Sequence, residues 1–240
     1  MRLMSTVAPL QAKTPLLEIQ TMKALPLVIA FSSLLSTAAI AGTNVPDGGR
    51  MGDMDSVNGG FTIGDNAEVG NVDTVNGGIR VGKNSRVGKI DAVNGGISLG
   101  DGSSAINVDT VNGGFKGGEN VKIERSIDSV NGGISLNNGS TIGEDIDNVN
   151  GKIYLNGVQV GGNIETVNGP IELTGATKVN GKLTIKKPGG WCFFDCDDRK
   201  PTVIIGANVE IVGGIVLERE VDLQLDPAAK VGNIEHKYKN

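Results

Sequence analysis

The sequence of 240 residues is poor in aromatic residues, cysteine, proline and histidine. Aromatic residues make up 3% of the chain, which excludes a core built on large aromatic anchors. With 8 prolines and no strict Gly-X-Y period, the chain is not a collagen. Basic residues (22) are outnumbered by acidic ones (27), and the net charge of −5 argues against a nucleic-acid partner. Glycine, in contrast, is abundant, with 37 residues.

The residues after Met22 have the pattern of a secretory signal peptide. A short basic start and an apolar stretch lead to Ala39-Ile40-Ala41, a small-x-small sequence that signal peptidase recognises. We therefore expect region 1–41 to be removed by cleavage after Ala41, with Met22 as a candidate true start. The apolar stretch is short for a membrane span. The mature chain is thus expected in the periplasm or at the cell surface, with no membrane insertion.

One tripeptide, Val-Asn-Gly, recurs through most of the chain. Successive copies lie 18, 18, 18, 19, 19, 18 and 12 residues apart, with the valine at Val57, Val75, Val93, Val111, Val130, Val149, Val167 and Val179. Apolar residues recur every six positions within each repeat, and a second one often stands two positions earlier, as in Ile79 and Val81. A spacing of two indicates short strands with one face inward, separated here by glycine and asparagine turns.

Three short strands in each repeat predict an all-β fold, a three-sided parallel β-helix (β-solenoid) with about 18 residues per turn. Large residues such as Phe61 and Ile79 at inner positions favour a right-handed coil, the usual sense for parallel connections. The predicted organisation has an N-terminal segment or cap at 42–52, solenoid repeats at 53–186, a loop at 187–202, final turns at 203–233 and a basic tail at 234–240.

The valine- and isoleucine-rich, glycine-punctuated turns over residues 53–233 resemble two bacterial groups. These are the bactofilins, which are polymer-forming scaffold proteins, and the adhesin-type secreted repeat domains of unknown function. Bactofilins are cytoplasmic, whereas this chain carries an export signal. What the resemblance implies is a structural, non-enzymatic protein of the bacterial envelope.

Stacking the repeats in register creates a column of asparagines. Each side-chain amide can donate to one neighbour and accept from the other, as in the amide ladders of stacked coils. The members of this structural ladder are Asn58, Asn76, Asn94, Asn112, Asn131, Asn150 and Asn168. The glycine after each asparagine is expected to have a positive φ. A structural role is favoured over a recognition surface.

A second column is acidic and lies two residues before each valine. Its members are Asp55, Asp73, Asp91, Asp109, Asp128, Asp147 and Glu165. Carboxylates about 4.8 Å apart repel each other, so either turn amides and neighbouring hydroxyls stabilise them or cations lie between the turns. The calcium-binding nonapeptide G-G-x-G-x-D is not matched. Corner hydrogen bonding is therefore favoured over calcium binding by these aspartates, and no cofactor is expected.

The repeat stops in segment 187–202, which holds both cysteines and the single tryptophan. In an oxidising compartment Cys192 and Cys196 are expected to form a disulfide; metal binding and free or redox-active thiols are the alternatives. A group of aromatic residues in this loop either covers the coil or forms an exposed contact. These residues are Trp191, Phe193 and Phe194.

The sequence offers little for catalysis. Its single histidine, His236, lies in the basic tail, and evenly repeated carboxylates do not mark one site. We expect a non-enzymatic scaffold or adhesin-like module that presents sheet faces, with end-to-end self-association or an envelope polysaccharide or protein as partner. The alternatives are a calcium- or polysaccharide-binding module that uses the acidic column and, less favoured, an enzyme that acts on glycans.

Overall fold

The computed structural model describes residues 43–188 and 200–238, and this part of the chain forms three parallel sheets of ten strands each. Successive strands lie in the three sheets in turn, so that each strand from β4 to β27 pairs with the strands three before and three after it. No helix occurs in these two ranges. The structure confirms the predicted three-sided parallel β-solenoid, which here has ten turns. Each turn contributes one strand to each sheet and is called a rung below. Its handedness stays a prediction.

The three sheets are named A, B and C. Sheet A contains β1 (Thr43–Val45), β4 (Phe61–Ile63), β7 (Ile79–Val81), β10 (Ile97–Leu99), β13 (Phe115–Gly117), β16 (Ile134–Leu136), β19 (Ile153–Asn156), β22 (Ile171–Thr174), β25 (Thr202–Ile205) and β28 (Asp222–Leu225). Sheet B contains β2 (Arg50–Met51), β5 (Glu68–Val69), β8 (Arg86–Val87), β11 (Ser104–Ala105), β14 (Lys122–Ile123), β17 (Thr141–Ile142), β20 (Gln159–Val160), β23 (Lys178–Val179), β26 (Glu210–Ile211) and β29 (Lys230–Val231). Sheet C contains β3 (Met54–Asn58), β6 (Val72–Asn76), β9 (Lys89–Asn94), β12 (Asn107–Asn112), β15 (Ile127–Asn131), β18 (Ile146–Asn150), β21 (Ile164–Thr166), β24 (Leu183–Ile185), β27 (Ile215–Leu217) and β30 (Ile234–His236).

The register of the sheets follows the repeat. In sheet A, Ile97 pairs with Ile79 on one side and with Phe115 on the other, so equivalent positions of successive repeats lie side by side. Segment 187–202 does not disturb this order, because Ile171 of β22 pairs with Val203 of β25 across it. The next rung therefore resumes in register at β25.

The core is a stack of aliphatic side chains inside the coil. In sheet A the first and third residues of a strand point inward, as Ile79 and Val81 do. In sheet C the inward residues flank the aspartate, so that Ile90 and Ala92 are buried on either side of Asp91. β-Branched residues suit parallel sheets that pack one face against a continuous core.

Six valines of Val-Asn-Gly are not core residues, contrary to the six-residue periodicity: Val57, Val75, Val93, Val111, Val130 and Val149. The last two, Val167 and Val179, are buried. Val57 is 53% exposed, and Val75 is half-buried on the outer face of sheet C. The reason is strand length: β6 has five residues, whereas the strands of sheet B have two. Alternation along β6 points Val72 and Thr74 inward, so Val75 faces outward together with Asp73.

The coil extends beyond the predicted repeats at both ends. Strands β1 and β2 lie within the expected N-terminal segment or cap at 42–52, and β30 lies in the expected tail at 234–240. The last rung leaves apolar side chains partly exposed: Leu225 is 39% exposed, and Leu223 and Val231 are only partly buried. The predicted signal peptide, 1–41, lies outside the described residues.

Positive φ occurs at a different corner from the one predicted. Of the glycines after Val-Asn, which are Gly59, Gly77, Gly95, Gly113, Gly132, Gly151 and Gly169, Gly151 alone has a positive φ. Most of the other positive-φ residues lie between sheets A and B, at Asn66, Asn84 and Asn120 and at Gly48, Gly102, Gly139, Gly157 and Gly175. Gly214 is the exception, between β26 of sheet B and β27 of sheet C. Asparagine and glycine are the residues that tolerate this conformation best.

Close stacking explains the glycines of the Val-Asn-Gly corner. A Cβ atom built on Gly95 would fall well inside contact distance of the carbonyl oxygen of Gly77, one rung earlier. Gly113 stands in the same relation to Gly95. Because the obstacle is backbone that is fixed by the neighbouring rung, no side chain fits at this position.

Candidate functional site

The outer face of sheet C carries three columns of side chains that run from rung to rung. In β12 they are represented by Asp109, Val111 and Asn112. We call them the aspartate column, the valine column and the asparagine column. The aspartate column has the acidic members given above, from Asp55 to Glu165, and the asparagine column has the ladder members, from Asn58 to Asn168. The valine column has the repeat valines from Val57 to Val149. They arise because β3, β6, β9, β12, β15 and β18 each contain an apolar residue followed by Asp-x-Val-Asn, in which the aspartate and the valine share the outer face.

The asparagine column is a continuous ladder of hydrogen bonds. Nδ2 of Asn76 donates to Oδ1 of Asn58 at 3.1 Å, and each later asparagine donates to the one before it at 2.8–3.0 Å, as far as Asn168. At that end Nη1 of Arg219 donates to Oδ1 of Asn168 at 3.0 Å. Sequence reasoning missed Arg219, because it lies 51 residues from its partner and beyond the loop.

Replacing Asn112 with alanine is expected to lower the free energy of unfolding by about 1 kcal/mol, because it removes two ladder bonds at an exposed site. Asn58→Ala removes one ladder bond, since Asn58 is the first member, and should cost about half as much. Urea unfolding followed by circular dichroism measures both. Equal losses of unfolding free energy for the two variants would show that the number of ladder hydrogen bonds does not determine the destabilisation.

The residue between the aspartate and the valine points into the coil, and in Thr74 and Thr110 its hydroxyl donates to a backbone carbonyl at the Val-Asn-Gly corner. Oγ1 of Thr74 donates to the carbonyl oxygen of Gly59 at 2.9 Å, and Oγ1 of Thr110 donates to that of Gly113 at 3.1 Å. The prediction that neighbouring hydroxyls stabilise the carboxylates is therefore wrong for these residues. Adjacent residues of a strand face opposite sides, so the hydroxyl and the carboxylate point away from each other.

The aspartate column is stacked in register. Asp73 pairs with Asp55 and Asp91, and the pairing continues through Asp109, Asp128 and Asp147 to Glu165. Neighbouring strands are about 4.8 Å apart, so successive carboxyl groups are immediate neighbours. Oδ1 of Asp73, Asp91 and Asp109 is shielded from solvent and has no hydrogen-bond partner among the described residues. These three positions form the centre of the column.

Few donors or cations approach this centre. Nδ2 of Asn107 donates to Oδ2 of Asp109 at 2.9 Å. Lys89, on the same strand as Asp91, acts to lower the pKa of Asp91, but this is a smaller effect than burial. At the far end of the column Lys186 forms an ion pair with Glu165. The central carboxyl groups are therefore surrounded mainly by one another.

Burial is the main cause of raised pKa values in the column. Burial and the charge of Asp91 raise the pKa of Asp73 to about 7. Burial, with contributions from neighbouring carboxyl groups, raises the pKa of Asp91 and that of Asp109 to about 6. The pKa of Asp128 is raised for the same main reason. Partial protonation of Asp73 near neutral pH, and of Asp91 and Asp109 near pH 6, follows from these pKa values.

The other predicted site residues add no metal site to the described chain. Within residues 43–188 and 200–238, no group of three or more histidine, cysteine or acidic side chains is arranged to hold a metal ion. Nδ1 of His236 lies 3.1 Å from the hydroxyl of Tyr238 on the exposed last rung. Segment 189–199, with the predicted disulfide of Cys192 and Cys196 and the aromatic group of Trp191, Phe193 and Phe194, lies outside the described residues. In the described part of the chain no helix is long and apolar enough to cross a membrane.

Comparison with known proteins assigns this chain to no family, so the class of protein is defined by its fold. No family model matches the sequence, and no curated protein and no solved structure matches it. The protein is a three-sided parallel β-solenoid of ten rungs, with an asparagine ladder and an acidic column on one sheet.

Proposed function

We propose that this protein is an exported, non-enzymatic scaffold or adhesin-like module of the bacterial envelope. The observation that supports this proposal is the continuous register of the ten rungs. Each sheet presents the same outer positions again in every rung, so its surface suits a partner that also repeats, or another copy of the chain, better than a single reacting molecule. The bactofilin-like or adhesin-type identity belongs to this proposal, as does a location in the periplasm or at the cell surface.

The last rung supports end-to-end self-association as the way in which such a scaffold is built. Strands β28, β29 and β30 are the final strands of their sheets, so each has one edge without a strand neighbour in the described chain. Open strand edges are templates for further pairing. Leu225 and Leu223 add apolar surface beside these edges.

The purified exported protein is expected to gain molar mass with concentration in light scattering behind a sizing column. Leu225→Lys should lower the association constant at least about tenfold, because it places a charge in the apolar contact. Ile106→Lys is the matched control, since Ile106 is 37% exposed, much as Leu225 is, but lies between β11 and β12 in the fourth rung, away from both ends of the coil. A monomer at every concentration, or equal effects of the two variants, would contradict end-to-end assembly.

A calcium- or polysaccharide-binding module is the second candidate function. The shielded carboxyl oxygens of Asp73, Asp91 and Asp109, which have no partner among the described residues, favour it. This function requires that calcium or the polysaccharide raise the melting temperature by mass action. Asp91→Asn should then abolish that rise.

A further inference from the structure

At the centre of the aspartate column, one oxygen of each carboxyl group lacks a hydrogen-bond donor among the described residues. Asp73, Asp91 and Asp109 are in register on three neighbouring strands, and each has one shielded oxygen that accepts no hydrogen bond from the described residues. A shielded acceptor without a donor is costly, and two ionised carboxylates at this spacing also repel. A proton on one carboxyl group removes both costs, because its O–H can donate to the carboxylate of the next rung.

Within the part of the chain that the structure describes, the groups next to Asp91 and Asp109 are mainly other carboxyl groups. Asp91 is faced by Asp73 on β6 and by Asp109 on β12, and its own strand contributes Lys89. Asp109 has Asn107 as a donor on its own strand, and its other neighbour in the column is Asp128 on β15.

The ends of the column differ from its centre. Asp55 begins the column on β3 and is exposed. The charges of Asp147 and then Asp145 act on Asp128, and Lys186 is the cation that pairs with Glu165 at the far end. Shielded carboxyl oxygens without a donor, within the described residues, thus occur on β6, β9 and β12.

We propose that the aspartate column is a proton-sharing ladder, in which carboxyl groups donate to carboxylates of neighbouring rungs and thereby make the stability of the central rungs depend on pH. The valine column shields the ladder from water along one side, since Val75, Val93 and Val111 are half-buried beside it. The exported protein is then most tightly stacked under mildly acidic conditions. Its central rungs loosen when the medium becomes alkaline.

The direction of the pH effect follows from the raised pKa values. The pKa of an aspartate in the unfolded chain is 3.8, whereas the folded pKa is about 7 for Asp73 and about 6 for Asp91 and Asp109. Between these limits the folded state binds more protons than the unfolded state, so the free energy of unfolding falls as the pH rises. This contribution is fully present below pH 3.8 and is lost once the pH exceeds about 7.

Unfolding of the full exported chain between pH 4 and pH 9, with a chelator present throughout, tests the proposal. The melting temperature of the wild type is expected to fall by about 5–10 °C from pH 5 to pH 8. Asp91→Asn supplies an amide that donates without a titrating proton. At pH 8 this variant should melt about 3 °C above the wild type, and at pH 5 the two should be equal. Asp222→Asn, on exposed β28, is the matched control and should keep the wild-type profile.

Carbon-13 titration of the aspartate carboxyl groups is the direct measurement and needs no variant. The expected result is a set of carboxyl groups that titrate between pH 5 and pH 8 in the wild type. Stability that rises from pH 5 to pH 8, or carboxyl groups that all titrate below pH 5, would overturn the proposal. A pH dependence that disappears when the chelator is added would also overturn it and assign the effect to metal ions.

Discussion

Gly95→Ala is expected to lower the free energy of unfolding by about 3 kcal/mol, which is a large effect for the addition of one methyl group. The new Cβ atom would overlap the carbonyl oxygen of Gly77 and would lie 2.5 Å from its carbonyl carbon and 2.9 Å from the nitrogen of Gly78. All three atoms are backbone atoms of the preceding rung. The two rungs therefore have to separate at this corner, where the asparagine ladder also depends on their spacing.

The next residue provides the control. A Cβ atom on Gly96 would meet the carbonyl oxygen of Gly114 at 3.5 Å, which is ordinary van der Waals contact, and Gly96 does not have a positive φ. Gly96→Ala is therefore expected to change the free energy of unfolding by less than about 1 kcal/mol, and the lower entropy of the unfolded chain makes stabilisation the expected sign. Urea unfolding of the two variants decides the matter. Similar losses at Gly95 and Gly96 would mean that close stacking is not the reason for glycine.

Phe115→Ala should cost about 3–5 kcal/mol. Phe115 is fully buried in β13 between Ile97 and Ile134, and it is the largest of the fully buried side chains in the described chain. Gly117, on the same strand, leaves room that the side chain of Leu136 occupies. The rung therefore combines one large and one absent side chain, and loss of the phenyl ring leaves a cavity that the stacked rungs above and below cannot close.

Two further variants serve as references for the loss of unfolding free energy in Phe115→Ala. Phe115→Ile restores the residue type of the neighbouring rungs and should cost about 1–2 kcal/mol, because most of the volume is retained. Val57→Ala, at a site that is 53% exposed, should cost less than about 0.5 kcal/mol. Thermal and urea unfolding measure the series. A loss for Phe115→Ala no larger than that for Phe115→Ile would contradict the cavity argument.

The repeat length and the two-residue alternation were enough to predict the coil, because equivalent residues such as Ile79 and Ile97 must lie side by side when the repeats stack. The orientation of the valine column was not predictable from a six-residue period. That period treats the three strands of a rung as equal, whereas β8 has two residues and β9 has six. Whether a side chain faces the core or the solvent depends on where its strand begins and ends.

The pKa values of the aspartate column also depend on which way the side chains face, which the sequence does not give. The sequence predicted a column of carboxyl groups, but the raised pKa of Asp73 comes first from burial, and burial depends on which side chains share its face. The left-handed corner was misplaced because asparagine and glycine occur at both corners, and only the backbone path distinguishes Asn84 from Gly95. Arg219 could not be assigned to the ladder, since 51 residues and a loop separate it from Asn168.

The pairing pattern has a consequence for how the chain folds and how its length can change. Every strand touches the strands of the adjacent rungs, and the ordering holds without exception along each sheet. Stability is then a sum over nearest-neighbour interfaces, so folding can nucleate on any pair of rungs and propagate in both directions. Duplication or deletion of one whole rung leaves all the other interfaces unchanged. The number of rungs is therefore free to vary while the fold is kept.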